Sequence, residues 1–140
     1  MLILRDPATV SEVFDPAVAR LLAFRFDQLS VDVPYDPDMN GFFVLVQPGD
    51  TVSALEAASG CWITQGLFSD ARYGEEGFSP CFEFLEEHPF CFEMVFILND
   101  GGYGVLFAIP KSGIDDELLR FCREYAVPAA DPMMEGFLCP

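Results

Sequence analysis

Phe90-Cys91-Phe92-Glu93-Met94-Val95-Phe96-Ile97-Leu98, then Asn99-Asp100-Gly101-Gly102-Tyr103, then Gly104-Val105-Leu106-Phe107-Ala108-Ile109: this stretch decides the fold. Two runs of β-branched and aromatic residues flank a short segment of Asn, Asp and Gly, which reach positive φ with little strain. The pattern predicts an antiparallel hairpin over residues 90–109. In its first arm Phe92, Met94, Phe96 and Leu98 share one face, and Cys91, Glu93, Val95 and Ile97 share the other. Both faces are therefore mostly covered. Gly101-Gly102-Tyr103-Gly104 lies between two strands and beside Asp100, whereas a phosphate cradle leads into a helix and enlists a cation. It reads as a hairpin turn.

Downstream, Asp115 predicts a capped helix over about 115–126, with Asp116 and Glu117 placed against its dipole. Leu118, Leu119, Cys122, Tyr125 and Ala126 make its buried stripe, Arg120, Arg123 and Glu124 lie outside, and Asp116 can pair with Arg120. Pro128, Pro132 and Pro140 make residues 127–140 an irregular tail. Its Met133, Met134, Phe137 and Leu138 either pack back on the domain or join a partner.

Upstream, Ser79-Pro80 reads as the start of a helix that carries Phe82 and Leu85 inward and ends near His88, before Pro89. Residues 2–4 form a short strand. Asp15-Pro16 opens a helix whose stripe is Val18, Leu21, Leu22 and Phe26. It is expected to run to about Arg25 and give way to a strand through Leu29, Val31 and Val33. Residues 34–41 are a loop and 42–46 a buried strand. Asp50 caps a short helix carrying Val52, Leu55 and Ala58, stopped by Gly60. Residues 61–64 make a further strand and 69–77 a polar loop. The pieces assemble into one α+β domain over residues 1–126: a mainly antiparallel sheet with helices packed on it.

The bulk numbers agree with a single domain, since the chain has 140 residues. Hydrophobic residues at 51% against charged ones at 21% exclude an intrinsically disordered chain. Asp and Glu number 23 against seven Lys and Arg, a formal charge of −16. That excludes ordinary electrostatic binding to nucleic acid or to an anionic membrane. The imbalance comes from missing cations: Lys111 is the sole lysine. Residues 73–110 hold no Lys or Arg but carry Glu75, Glu76, Glu83, Glu86, Glu87, Glu93 and Asp100. Their solvated face is expected to be negative and to attract a basic protein partner, with Glu75, Glu76, Glu83, Glu86, Glu87 and Asp100 as candidate contacts. Regularly spaced carboxylates can also imitate a phosphate backbone and fill a DNA-binding cleft. The plainer alternative is that the charge keeps a Phe-rich protein soluble.

Cys61, Cys81, Cys91, Cys122 and Cys139 contain no CxxC pair and sit among apolar neighbours, so they read as buried thiols in a reducing cytoplasm. No signal-peptide pattern is visible in Met1–Val10, and the apolar runs fall short of the length expected of a membrane span.

His88 is the sole histidine. With Glu83, Glu86 and Glu87 it makes the weak candidate for a metal or acid/base site, because Glu83 and Glu87 share a face if the segment is helical. The competing reading is a solvated helix end whose histidine meets the last carbonyls. One His and no GxSxG elbow exclude a hydrolytic triad. A dyad of His88 with Cys81 or Cys91 is opposed by acidic neighbours, which suppress the thiolate. No motif calls for a cofactor.

Gln47-Pro48-Gly49-Asp50-Thr51-Val52 resembles the opening of a LysM glycan-binding module, over those six residues only. Phe84-Leu85-Glu86-Glu87-His88, Glu93 through Gly104 and Ile109-Pro110-Lys111 resemble small uncharacterised proteins of bacterial integrative and conjugative elements. That resemblance implies a bacterial accessory protein of a mobile element and carries over no catalytic residue. The leading expectation is a non-enzymatic, cytoplasmic interaction protein for a basic protein partner. A small metal-dependent or acid/base enzyme at His88, and a self-associating structural homodimer, are the alternatives.

Overall fold

The computed structural model describes residues 1–58, 64–69, 71–72, 75, 78–84, 88–98 and 103–128. In chain order these form β1 (Leu2–Leu4), a 3-10 helix (Pro7–Glu12), α1 (Pro16–Leu29), α2 (Pro37–Asn40), β2 (Gly41–Leu45) and α3 (Val52–Ala58). There follow β3 (Phe78–Phe84), β4 (Phe90–Leu98), β5 (Tyr103–Pro110), α4 (Asp116–Tyr125) and β6 (Ala126–Pro128). The strands make a single sheet in the order β1-β2-β5-β4-β3-β6. The fold is α+β, as expected, and the hairpin of β4 and β5 lies at its centre, with Phe92 opposite Ile109 and Leu98 opposite Tyr103.

Antiparallel pairings predominate in the sheet, as expected, but it is mixed, since two of its five pairings are parallel. β1–β2, β3–β4 and β4–β5 are antiparallel, while β2–β5 and β3–β6 are parallel. Sequence periodicity reports that a strand exists but not which neighbour it takes, so both parallel pairings were illegible. The β2–β5 pair also explains a glycine. At Gly41 (φ 105°) a Cβ would lie 1.6 Å from the carbonyl oxygen of Gly104, its register partner on β5. Only a residue with no side chain permits that approach.

Strand alternation sorts the core into two layers. On one face, Phe43 and Leu45 of β2 and Leu106 and Ala108 of β5 pack with Val18, Leu22 and Phe26 of α1. On the other, Phe42, Val44, Val105, Phe107, Ile109, Phe92 and Met94 pack with Val52 and Leu55 of α3 and with Leu118, Phe121 and Cys122 of α4. Phe121 is absent from the expected stripe of α4 yet is one of its most buried residues. Cys122 is the one cysteine whose environment is described, and its side chain is buried.

Helix starts follow the sequence closely. The Asp15 carboxylate accepts from the amides of Ala17 and Val18, and Pro16 takes the first helical position. Asp115 caps α4 in the same way. At α3 the cap is Thr51, whose hydroxyl accepts from Ala54 N–H. Asp50 instead accepts from Gln47 N–H and pairs with the N-terminal ammonium at 2.9 Å.

Other expectations need correction. The expected strand through Leu29, Val31 and Val33 is absent: α1 continues to Leu29, and Val31 and Val33 are exposed. The helical stripe from Val18 to Phe26 outweighs the alternation around Phe24 and Phe26, because Arg25 points inward rather than to water. The expected helix after Ser79-Pro80 is strand β3. Phe78, Phe82 and Phe84 there repeat at even spacing, and Pro80 lies outside the part of β3 that β6 flanks, where a missing N–H is tolerated. Residues 34–41 include the single turn of α2. β6 takes in Val127 and Pro128, where irregular chain was expected. Arg120 pairs with Glu124 at 2.6 Å, not with Asp116. The strand expected over 61–64 lies outside the described residues except for Thr64, which sits in a turn and is buried.

Candidate functional site

The expected acidic contacts do not share one element. Glu75 is exposed, and its carboxylate accepts from Arg72 Nε at 2.6 Å. Arg72 also donates to the Gln65 carbonyl, so this arginine is held in place and neutralises Glu75 locally. Glu83 lies in β3, in register with Glu93 of β4. That placement removes the helical spacing on which a shared face of Glu83 and Glu87 depended. Glu76, Glu86, Glu87 and Asp100 lie outside the described residues.

Glu93, one of the carboxylates of the cation-free span, contributes nothing to a solvated face. Its side chain is fully buried, and its Oε1 accepts from Arg25 Nε at 2.6 Å. Arg25, equally buried, also donates to Gln28 Oε1 at 3.0 Å. A carboxylate enters a dry interior only with a paired cation, because the desolvation of either ion alone costs several kcal/mol. The pair joins α1 to the middle of the sheet. Glu93 Oε2 has no hydrogen-bond partner among the described residues.

His88 lies between β3 and β4, not at a helix end. Its Nδ1 accepts from Phe90 N–H at 3.1 Å, which leaves the proton of a neutral ring on Nε2. Nε2 stands 3.3 Å from Asp15 Oδ1, the same oxygen that caps α1. That carboxyl is held below the ordinary range, chiefly by the Val18 amide, with the Ala17 amide and His88 adding to the effect against partial burial. A His–Asp pair invites comparison with a catalytic dyad, but here both ring nitrogens are engaged and the carboxylate is already occupied by two amides. The arrangement ties the start of β4 to the start of α1. Among the described residues no group of three or more His, Cys, Asp or Glu can hold a metal ion, and no helix is long and apolar enough to cross a membrane.

The sequence reading missed a second region. The chain carries no Lys or Arg over residues 26–71, a longer cation-free run than residues 73–110, and it holds Asp27, Asp32, Asp36 and Asp38. All four are exposed, and none meets a cation at ion-pair distance among the described residues. Of the four large apolar side chains exposed among the described residues, Phe14 precedes this stretch, and Val31 (76%), Val33 (56%) and Met39 (69%) belong to it. Assigning Val31 and Val33 to a strand concealed this. A count of cations along the whole chain would have found it.

Comparison with protein-family models, with curated proteins and with solved structures finds no match.

Proposed function

We propose that this is a non-enzymatic, acidic interaction protein whose anionic surface engages a basic protein partner. The observation that carries the reading is the imbalance of surface charge. Three of the six arginines are tied to carboxylates, Arg25 to Glu93, Arg72 to Glu75 and Arg120 to Glu124. Meanwhile Asp27, Asp32, Asp36 and Asp38 stand exposed, with no cation at ion-pair distance among the described residues. Fields of one sign recruit partners of the other and repel nucleic acid. The engagement of both His88 nitrogens weighs against the acid/base alternative. On this reading the protein works in the cytoplasm as an accessory of a bacterial mobile element, and a partner that itself holds DNA would meet it as a phosphate-backbone imitation. The acidic contacts on the later half of the chain remain Glu75, Glu76, Glu83, Glu86, Glu87 and Asp100.

The test is a pull-down from a bacterial host, followed by binding measurements on the purified partner across a salt series. Binding is expected to weaken steeply as the screening length falls towards about 8 Å at physiological ionic strength. Charge reversal at Glu75, Glu76, Glu86 and Glu87 together should weaken it further. Association that ignores salt and survives those reversals would refute the proposal.

A further inference from the structure

The connection from α1 to β2 is built to hold side chains out in water. Helix α1 closes at Ser30, whose N–H donates to the Asp27 carbonyl and whose Oγ donates to that of Phe26 at 2.8 Å. Five residues on, Tyr35 returns to the core. Its ring meets Phe26 edge-on at 5.0 Å, and its hydroxyl donates to the Gly41 carbonyl at 2.6 Å. The turn of α2 is then locked by Asp36. Its carboxylate accepts from Asp38 N–H, its carbonyl accepts from Met39 and Asn40 N–H, and its own N–H donates to Asn40 Oδ1. Between these anchors Val31, Val33 and Met39 stay more than half exposed.

Single exposed aliphatic groups are ordinary. Three of them within nine residues, on a segment anchored at both ends, make a concentration of exposed apolar groups of the kind that favours a partner. Charge selects the occupant. Asp27, Asp32, Asp36 and Asp38 are interspersed in sequence with the apolar groups, and all four are exposed. Arg5 is the nearby cation: its charge reaches Tyr35, but it lies 4.3 Å over the Phe42 ring and next in sequence to Asp6. A second copy of the chain would set aspartates against aspartates, and nucleic acid would be repelled.

We propose that residues 27–39 are a docking surface for a cationic segment of a partner protein in which Lys or Arg alternates with aliphatic residues. The cations face the aspartates, and the aliphatic groups cover Val31, Val33 and Met39. The inference rests on the basic-partner reading and adds the surface and the chemistry of the segment it takes.

The experiment titrates the full-length, 15N-labelled protein at low salt with two probes, a short peptide interspersing Lys with Leu and an oligolysine of equal charge. Amide shifts caused by the Lys/Leu peptide are expected to centre on residues 27–39. Replacing Val31, Val33 and Met39 together by Ser should weaken that peptide about tenfold and oligolysine less than twofold; the dispersion of the amide spectrum checks that the variant is folded. Shifts centred on residues 75–93, or a variant that binds the peptide as the wild type does, would overturn the surface while leaving the basic-partner reading in place. If neither probe binds, the basic-partner reading falls as well. Concentration-dependent self-association that the triple variant abolishes would reassign the patch to a contact between copies and overturn the proposal.

Discussion

Replacing Arg25 by Met tests whether the middle of the α1–sheet layer is dry. The wild-type pair brings Arg25 Nε to 2.6 Å from Glu93 Oε1 with both side chains fully buried. At an effective dielectric of about 20, Coulomb's law gives that separation an attraction of about 6 kcal/mol. Most of this offsets the cost of desolvating two ions, so the net value of the pair is small. Its loss is not symmetric with its value. In Arg25→Met the Glu93 carboxylate keeps the desolvation cost and loses its counter-charge, and its Oε2 is already without a hydrogen-bond partner among the described residues. The expected loss is about 3–5 kcal/mol, a large share of the roughly 5–15 kcal/mol that stabilises a typical domain. Glu93→Leu should cost a comparable amount by stranding the guanidinium. Arg25→Met combined with Glu93→Leu should cost far less than the two together, because no lone ion is left. Urea denaturation followed by circular dichroism measures all four corners of this cycle. An Arg25→Met loss below about 1 kcal/mol, or a double variant as costly as both singles summed, would mean the pair is hydrated and the reasoning fails.

Asp15 makes a pH-dependent contribution. Its folded carboxyl is held below the ordinary 3.8, so its stabilisation is complete above that value and is lost as pH falls through the lower folded one. Asp15→Ala should cost about 1 kcal/mol at neutral pH and nothing once the carboxyl is protonated in both states, as denaturation midpoints across an acid series would record. Gly41→Ala should prevent β2 from pairing normally with β5, since the added carbon falls on the Gly104 carbonyl; amide exchange should rise sharply across both strands, and native-like protection there would contradict the register. Burial holds the Tyr35 phenol well above its ordinary range. An alkaline absorbance titration should show its phenolate forming only after the protein unfolds, and Tyr35→Phe should remove that late step.

What the sequence discloses is local. The Asn-Asp-Gly-Gly turn between two β-type runs, and Asp before the first helical turn at Asp15 and Asp115, each act through neighbouring backbone groups, so a single chain can show them. Pro80 misleads because Ser-Pro fits a helix start and an edge strand equally well. Only β4, distant in neither space nor sequence but unseen by periodicity, decides between them. Glu93 misleads for a different reason. Its burial depends on Arg25, on a helix far away in the chain, and no pattern within a strand reports the arrival of a counter-ion. The acidic surface was legible as a quantity of charge, whereas the apolar groups standing among the aspartates of residues 27–39 became visible only once Tyr35 was seen to be the residue turned inward.

The parallel pairing of β2 with β5 sets an order of events during synthesis. Gly41–Leu45 leaves the ribosome long before Tyr103–Pro110, its central-side neighbour in the sheet. Until the later strand emerges, β2 can pair with β1 but lacks its longer central-side neighbour, and contacts so remote in sequence form slowly. An N-terminal half that waits for β5 exposes apolar side chains of the kind that make partly folded chains adhere, and its excess of negative charge opposes contact between such halves.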